Sequence, residues 1–230
     1  MTNKRNYPKI AIDGPAGAGK STVSRKVAEK LALKYLDTGA MYRAITLKLL
    51  RNKINLTDLD NVSDLVAGTS IKLSDNGKVF MDNEDVTAEI RESHVNRMVS
   101  EVSAISLVRQ RLVEMQRDIA KESQGIVMEG RDIASRVMPD ADYKIYLDAS
   151  VNERVKRRCK EQVAKGIKLS AEEVALEINK RDRIDSQRED SPLKKMPDAI
   201  MIDTTDMNID DVVNYISSLI EEGHLRMEER

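Results

Sequence analysis

Tryptophan is absent from the chain and Phe80 is its only phenylalanine, which argues against bases held on a broad platform of stacked aromatic rings. Cys159 stands alone, so a disulfide framework is excluded and a reducing compartment fits. No apolar run approaches the ~20 residues needed to span a bilayer, and the polar stretch 1–9 lacks the apolar centre of a secretory signal. Neither sign of charge dominates. With 38 basic and 39 acidic side chains the formal charge is −1, so no global field draws the chain to nucleic acid. No repeat or low-complexity linker divides the 230 residues, a length that buries one substantial core, with or without insertions. A soluble cytoplasmic monomer without membrane or nucleic-acid partners is expected.

What the chain does contain is a phosphate loop. Residues 14–21 read Gly14-Pro15-Ala16-Gly17-Ala18-Gly19-Lys20-Ser21 and fit G-x-x-x-x-G-K-[ST]. The apolar run 10–12 before it reads as a buried strand, and the pattern from Ser21 through Thr22 onward reads as an amphipathic helix. The glycines let the backbone turn its N–H groups inward on phosphate oxygens, and the helix adds its positive end. Lys20 is placed to reach the β- and γ-phosphates, and the Ser21 hydroxyl to ligate Mg²⁺. A nucleoside triphosphate, ATP in the first instance, is the implied ligand.

Val23, Val27 and Leu31 carry the first helix to about residue 33. A short apolar step at Tyr35-Leu36 precedes the break Asp37-Thr38-Gly39, and a second helix runs to about residue 50. Between residues 52 and 92 the texture changes: short alternating runs at 71–73 and 79–81 flank Ser74-Asp75-Asn76-Gly77, a hairpin signal. One long helix is predicted over 100–122. Buried strands are predicted at 126–128, 145–147 and 200–202, with capping boxes at Ser150 and Ser170 opening helices. A final amphipathic helix at 209–220 ends in a polar tail expected to fray. Strands alternating with helices imply a parallel sheet with its ligands at the carboxyl ends of the strands.

Four charged clusters could complete a phosphoryl-transfer site. Thr38 and Arg43 follow the first break, with the Thr38 hydroxyl exposed by the turn and Arg43 facing the same cleft. Arg131 and Asp132 follow a strand, where charge suits a ligand better than packing. Arg154, Arg157 and Arg158 share one helical face, a crowding of like charge that an anion would relieve, so the helix reads as a lid closing on phosphates. Arg181, Asp185 and Arg188 share another face. Gathering two anionic substrates needs several arginines, whose forked geometry suits phosphate.

With these motifs assembled, the chain resembles the bacterial cytidylate kinases. I-D-G-P-A-G-A-G-K-S, L-D-T-G-A-M-Y-R, the G-R-D after the second strand, Y-L-D-A-S and R-D-x-x-D-x-x-R at 181–188 carry the resemblance, which spans about residues 9–221. It implies a P-loop nucleoside-monophosphate-kinase fold of the α/β class: a central parallel sheet flanked by helices, a small antiparallel insert and a short helical lid. Residues 1–60 and 98–230 would form the core, with the lid at about 152–168, and residues 61–97 the insert that binds the monophosphate. The reaction implied is transfer of the γ-phosphoryl of MgATP to CMP or dCMP. Arg43, Arg131 and Arg188 would hold the acceptor phosphate, and Thr38, Arg181 and Asp185 the sugar. Ser100, Arg109 and Asp132 would read cytosine, whose exocyclic amine suits a carboxylate. Lys20, Arg131 and Arg158 would stabilise the migrating charge, with Arg157 beside ATP. A second carboxylate near Mg²⁺ stays open among Asp13, Glu129 and Asp132.

Two other readings compete. A kinase of a small non-nucleotide acceptor explains the loop and lid but not the insert or the 181–188 face. A GTP switch is suggested by Asn179-Lys180-Arg181-Asp182, which fits N-K-x-D; that motif belongs after a strand, whereas here the pattern is helical.

Overall fold

The computed structural model describes residues 7–74, 77–164, 166–167 and 169–228, the side chains of 224–228 excepted. The chain opens with β1 (Lys9–Asp13), α1 (Lys20–Lys30), β2 (Lys34–Asp37) and α2 (Thr38–Arg51). Next come α3 (Leu59–Ala67), β3 (Ile71–Leu73), β4 (Val79–Met81), β5 (Glu84–Asp85) and a 3-10 turn at Glu89–Arg91. They are followed by α4 (Ser93–Ala104), α5 (Ser106–Glu122), β6 (Ile126–Gly130), a π-helical turn at Ile133–Val137 and β7 (Tyr143–Asp148). The elements α6 (Val151–Ala164), α7 (Ala171–Gln187), β8 (Ile200–Asp203) and α8 (Ile209–Glu228) close the order.

Five strands form one parallel sheet in the order β2-β6-β1-β7-β8. Alternation along the central strands feeds two cores. Ala11, Ile126 and Met128 face one, while Ile10, Ile12 and Val127 face the other. In register, Asp13 lies beside Gly130 and Tyr146, and Asp37 beside Glu129, so chemistry-bearing residues align along one carboxyl edge. Helices cover both faces, as the expected fold requires.

The separate antiparallel sheet β3-β4-β5 lies within residues 61–97. Asp75 and Asn76 of the expected hairpin turn lie outside the described residues, but the flanking strands pair with Ile71 opposite Met81. A second tight turn follows at Asp82-Asn83, both with positive φ (51° and 70°), the conformation of a primed hairpin turn. This insert has no core of its own. Val62, Val66, Ile71, Val79, Met81, Val86 and Ile90 join the cluster formed by α2 and one face of the parallel sheet. Arg51 at the end of α2 clasps Glu84 through two bonds of 2.6 and 2.8 Å and also reaches Glu89 (3.1 Å from Nε), while Lys48 pairs with Asp82 at 2.7 Å.

Three elements differ from the sequence expectation. The step at Tyr35-Leu36 is a full edge strand, β2. The single helix expected over 100–122 is two helices, broken at Ile105, whose φ and ψ of −72° and 115° are extended. An apolar stripe continues across the break, so periodicity does not register it. The last helix runs through the polar stretch to Glu228.

Candidate active site: a phosphate loop facing an arginine cluster

Gly14 leaves β1 where an added Cβ would overlap the Leu147 carbonyl oxygen of β7, so no side chain fits. Gly19 (φ 87°) caps α1 in the left-handed region with no side-chain cap, so the first amides of α1 lack an acceptor side chain there. Ser21 and Thr22 lie exposed on that first turn. Lys20 is buried, and its Nζ donates to the Pro15 carbonyl at 2.7 Å. Burial, and then the Arg131 charge, lowers its pKa to about 7.

Two buried carboxylates flank the loop. Asp13 accepts from the Ile133 and Ala134 amides (2.9 and 2.8 Å), yet burial still raises its pKa to about 6. Glu129 accepts from the Tyr35 hydroxyl (2.9 Å) and faces the Ser21 hydroxyl; burial, and then the charge of Asp37, push its carboxyl up.

Across the carboxyl edge, four guanidiniums share two carboxylates. Asp185 lies 2.8 Å from Arg131 Nε, 3.5 Å from Arg188 Nη1 and 4.0 Å from Arg181 Nε. Asp132 pairs with Arg109 and lies 3.8 Å from Arg188 Nη2. Burial works against the Asp185 anion, but Arg131, Arg181 and Arg188 hold its carboxyl below the usual range. Arg181 shows the opposite strain: burial and the neighbouring Arg131 bring its pKa down to about 10. At the start of α2, Asp37 caps the helix through the Ala40 amide (2.9 Å) and holds Arg43 (2.9 Å) and Arg91 (3.6 Å). Arg43 Nε, Arg109 Nε, Arg181 Nε and Arg188 Nη2 are buried without a hydrogen-bond partner among the described residues. Such surplus donors suit a multiply charged anion.

Beside this cluster is a polar niche. The break at Ile105 leaves the Ser103 carbonyl to Arg109 Nη1 (3.0 Å), and the Ser103 hydroxyl donates to the Ser100 carbonyl (2.9 Å). The Arg109 guanidinium lies 5.3 Å from the centre of the Tyr42 ring, and the buried Tyr42 hydroxyl has no partner among the described residues.

The structure therefore brings together Arg43, Ser100, Arg109, Arg131, Asp132, Arg181, Asp185 and Arg188. It corrects the sequence reading at two places. Thr38 is not exposed on a turn: it begins α2, is buried, and donates to the Glu129 carbonyl at 2.7 Å, leaving lone pairs to accept from a ligand. The three α6 arginines do not need an anion to relieve their crowding. Arg154 is buried, bonded to the Ala149 and Ala16 carbonyls (3.0 Å each) and to Asp182. Arg157 holds the Thr204 side chain and carbonyl (2.9 and 2.6 Å), passing alongside Gly19, and Arg158 pairs with Glu161 at 3.0 Å. The Ser150 capping box is half formed, because Glu153 turns to Arg157 (3.1 Å) while the Ser150 amide donates to Thr205 (2.9 Å). Arg91 escaped the sequence reading; Asp37 and Asp182 were given no site role, although Asp37 carried a signal as an aspartate at a helix start and Asp182 stood inside R-D-x-x-D-x-x-R. Asn179-Lys180-Arg181-Asp182 lies inside α7, which removes the GTP-switch context.

The sequence model of the family described as Cytidylate kinase matches residues 10–222. The chain belongs to the cytidylate kinase family. A cytidylate kinase of Pediococcus pentosaceus is 49% identical over 224 residues, covering 96% of this chain and 99% of the relative. One from Caldanaerobacter subterraneus is 50% identical over 215 residues, covering 94% and 95%. A solved structure, an uncharacterised protein from Eubacterium ventriosum, shares the fold with a TM-score of 0.52 at 14% identity, covering 95% of this chain and 99% of that one. Family membership makes the chain a nucleotide-directed phosphotransferase with the P-loop kinase fold, and among the described residues no helix is long and apolar enough to cross a membrane.

Proposed function

We propose that the protein transfers the γ-phosphoryl group of ATP to CMP or dCMP, giving ADP and CDP or dCDP. The observation that supports this most is the arginine cluster: four guanidiniums share two carboxylates at the strand edge that carries the phosphate loop, with surplus buried donors. The loop takes the triphosphate, and Arg43, Arg131 and Arg188 take the acceptor phosphate. Thr38, Arg181 and Asp185 take the sugar. Asp132, steadied by Arg109, accepts from the cytosine amine within the niche lined by Ser100.

Phosphoryl transfer asks the protein for positioning and charge stabilisation rather than covalent chemistry. Lys20 leaves the Pro15 carbonyl for the β- and γ-phosphates, whose charge restores its ammonium form. Arg131 pairs with Asp185 and its charge also acts on Lys20, which suits it to the migrating group. Arg157 and Arg158 complete the donor side when they exchange Thr204 and Glu161 for phosphate. No cluster of three or more His, Cys, Asp or Glu side chains among the described residues could hold a metal. The Ser21 hydroxyl facing Glu129 would instead hold Mg²⁺, an ion that needs few protein ligands when substrate phosphates are present. Mg²⁺ would neutralise charge on the triphosphate. Of the three carboxylates left open by the sequence, Glu129 has the supporting geometry, since both Asp13 oxygens take amides and Asp132 takes Arg109.

Coupled measurement of ADP release with ATP and each of CMP, dCMP, UMP and AMP tests the reading. CMP and dCMP are expected to give the highest kcat/KM; preference for UMP or AMP, or for a non-nucleotide acceptor, would overturn it.

A further inference from the structure

The helix that carries Arg181 and Asp185 into the acceptor cluster also touches the donor loop, through the next residue. The Asp182 carboxylate accepts from the Ala16 amide at 3.1 Å and pairs with Arg154. Arg154 in turn donates to the Ala16 carbonyl at 3.0 Å. Ala16 is thus held from both sides, its N–H by α7 and its C=O by α6. Gly17 allows this approach, since a side chain there would lie 3.1 Å from Arg154 Cβ. Neither Asp182 nor Arg154 reaches the acceptor carboxylates: Arg154 is buried against Ala149, Ala16 and Asp182. Their hydrogen-bond partners all lie at the joint between the loop and the two helices, and the Asp182 charge also acts on the nearby Arg131.

We propose that Asp182 and Arg154 are positioning residues: they clamp Ala16 and so set the distance between the donor loop and the acceptor groups on α7. This rests on the donor and acceptor halves assigned above. In-line transfer is sensitive to that distance, because a misplacement of about 1 Å costs on the order of 10²-fold in rate. A loosened clamp still binds each nucleotide, since the loop amides of α1 and the arginine cluster remain, but holds them in poorer register. The cost falls on kcat. One Asp182 oxygen serves the Ala16 amide and the other serves Arg154, so an asparagine there keeps the first contact and loses the second.

Steady-state kinetics of Asp182→Asn, Asp182→Ala and Arg154→Lys test this, with ADP affinity from calorimetry confirming a formed loop. Asp182→Asn keeps an oxygen for the Ala16 amide but sets its NH2 against the Arg154 guanidinium and is expected to lose ~10-fold in kcat, whereas Asp182→Ala loses ~10²-fold, with both KM values within ~3-fold of the parent. Arg154→Lys keeps the charge but not the fork and is expected to lose ~10-fold in kcat. The double variant Asp182→Ala with Arg154→Lys should be no slower than Asp182→Ala alone, because both act on one residue. Equal losses for Asn and Ala, additive losses in the double variant, or losses confined to KM would overturn the clamp. Should Asp182→Ala not fold, an unchanged kcat in Arg154→Lys overturns it equally. A parent enzyme that fails to turn over CMP would instead overturn the functional reading.

Discussion

Lys20 illustrates how the site carries tension in single residues. Its ammonium is buried against the Pro15 carbonyl, and its pKa of about 7 lies well below the usual 10.5. Below pH 7 the folded and unfolded chains both hold the proton, and the full cost of burying the charge is present. Between pH 7 and about 10.5 only the unfolded chain holds it, so stability rises with pH through that window. Lys20→Met is therefore expected to raise the Tm of the nucleotide-free protein while abolishing turnover, with the gain largest at pH 6 and smaller at pH 9.5 in scanning calorimetry. A variant less stable than the parent at pH 6 would contradict this. Asp132 makes a second residue-scale test. Asp132→Asn keeps an oxygen for Arg109 but offers an amide to a uracil oxygen, so the CMP-to-UMP ratio of kcat/KM should fall by about 10-fold or more, with KM for ATP little changed. Equal losses for both substrates would exclude a base-reading role.

Among the elements, the turn from β1 into the loop is the least tolerant. An added Cβ at Gly14 meets the backbone oxygen of Leu147, which cannot move without disturbing the β1–β7 pairing. Gly14→Ala is expected to cost at least ~1–3 kcal/mol in chemical denaturation and to abolish ATP binding. Gly77→Ala has open space around it and a φ of 78°, so its cost should stay near ~1 kcal/mol, from the backbone alone; equal costs at both sites would contradict the packing explanation. The loop and α1 were legible because strand, motif and helix coincide in one short stretch. β2 was not, since an edge strand with two apolar residues between Lys34 and Asp37 offers no run to detect. The break at Ile105 was invisible because the apolar stripe crosses it, although it frees the Ser103 carbonyl for Arg109. The turn at Asp82-Asn83 was legible in kind, both residues tolerating a left-handed backbone, but was overshadowed by the stronger signal at Asn76-Gly77.

At the scale of the whole molecule, the insert reads from sequence as a body apart, but its apolar side chains join the core of α2 and the sheet. Sequence texture follows local pairing, whereas core membership follows long-range packing, and the two part company here. The α6 arginines mislead for the same reason. Arg154 finds Ala16 and Asp182, and Arg157 finds Thr204, far along the chain, while Glu153 and Glu161 of α6 itself take Arg157 and Arg158, so a basic helical face looks unneutralised when it is not. The clustering of Arg131, Arg181 and Arg188 was legible because their spacing along α7 and at the strand edge matched a known motif set; their part in holding the acceptor is a proposal. With a formal charge of −1 over the chain, attraction for nucleotides comes from this local cluster and not from the molecule's overall field. In the proposed mechanism the phosphate loop and the arginine cluster are the two halves of one site, facing each other across a transferable phosphoryl group. A bisubstrate analogue in which adenosine and cytidine are joined through five phosphates tests it most directly, because it binds well only if both halves are engaged together. Calorimetric titration is expected to show the analogue binding at least ~10²-fold more tightly than ATP or CMP alone, with one analogue per protein and with neither nucleotide able to bind beside it. Affinity no greater than that of ATP, or CMP still binding to the analogue complex, would mean that the loop and the arginine cluster are separate sites.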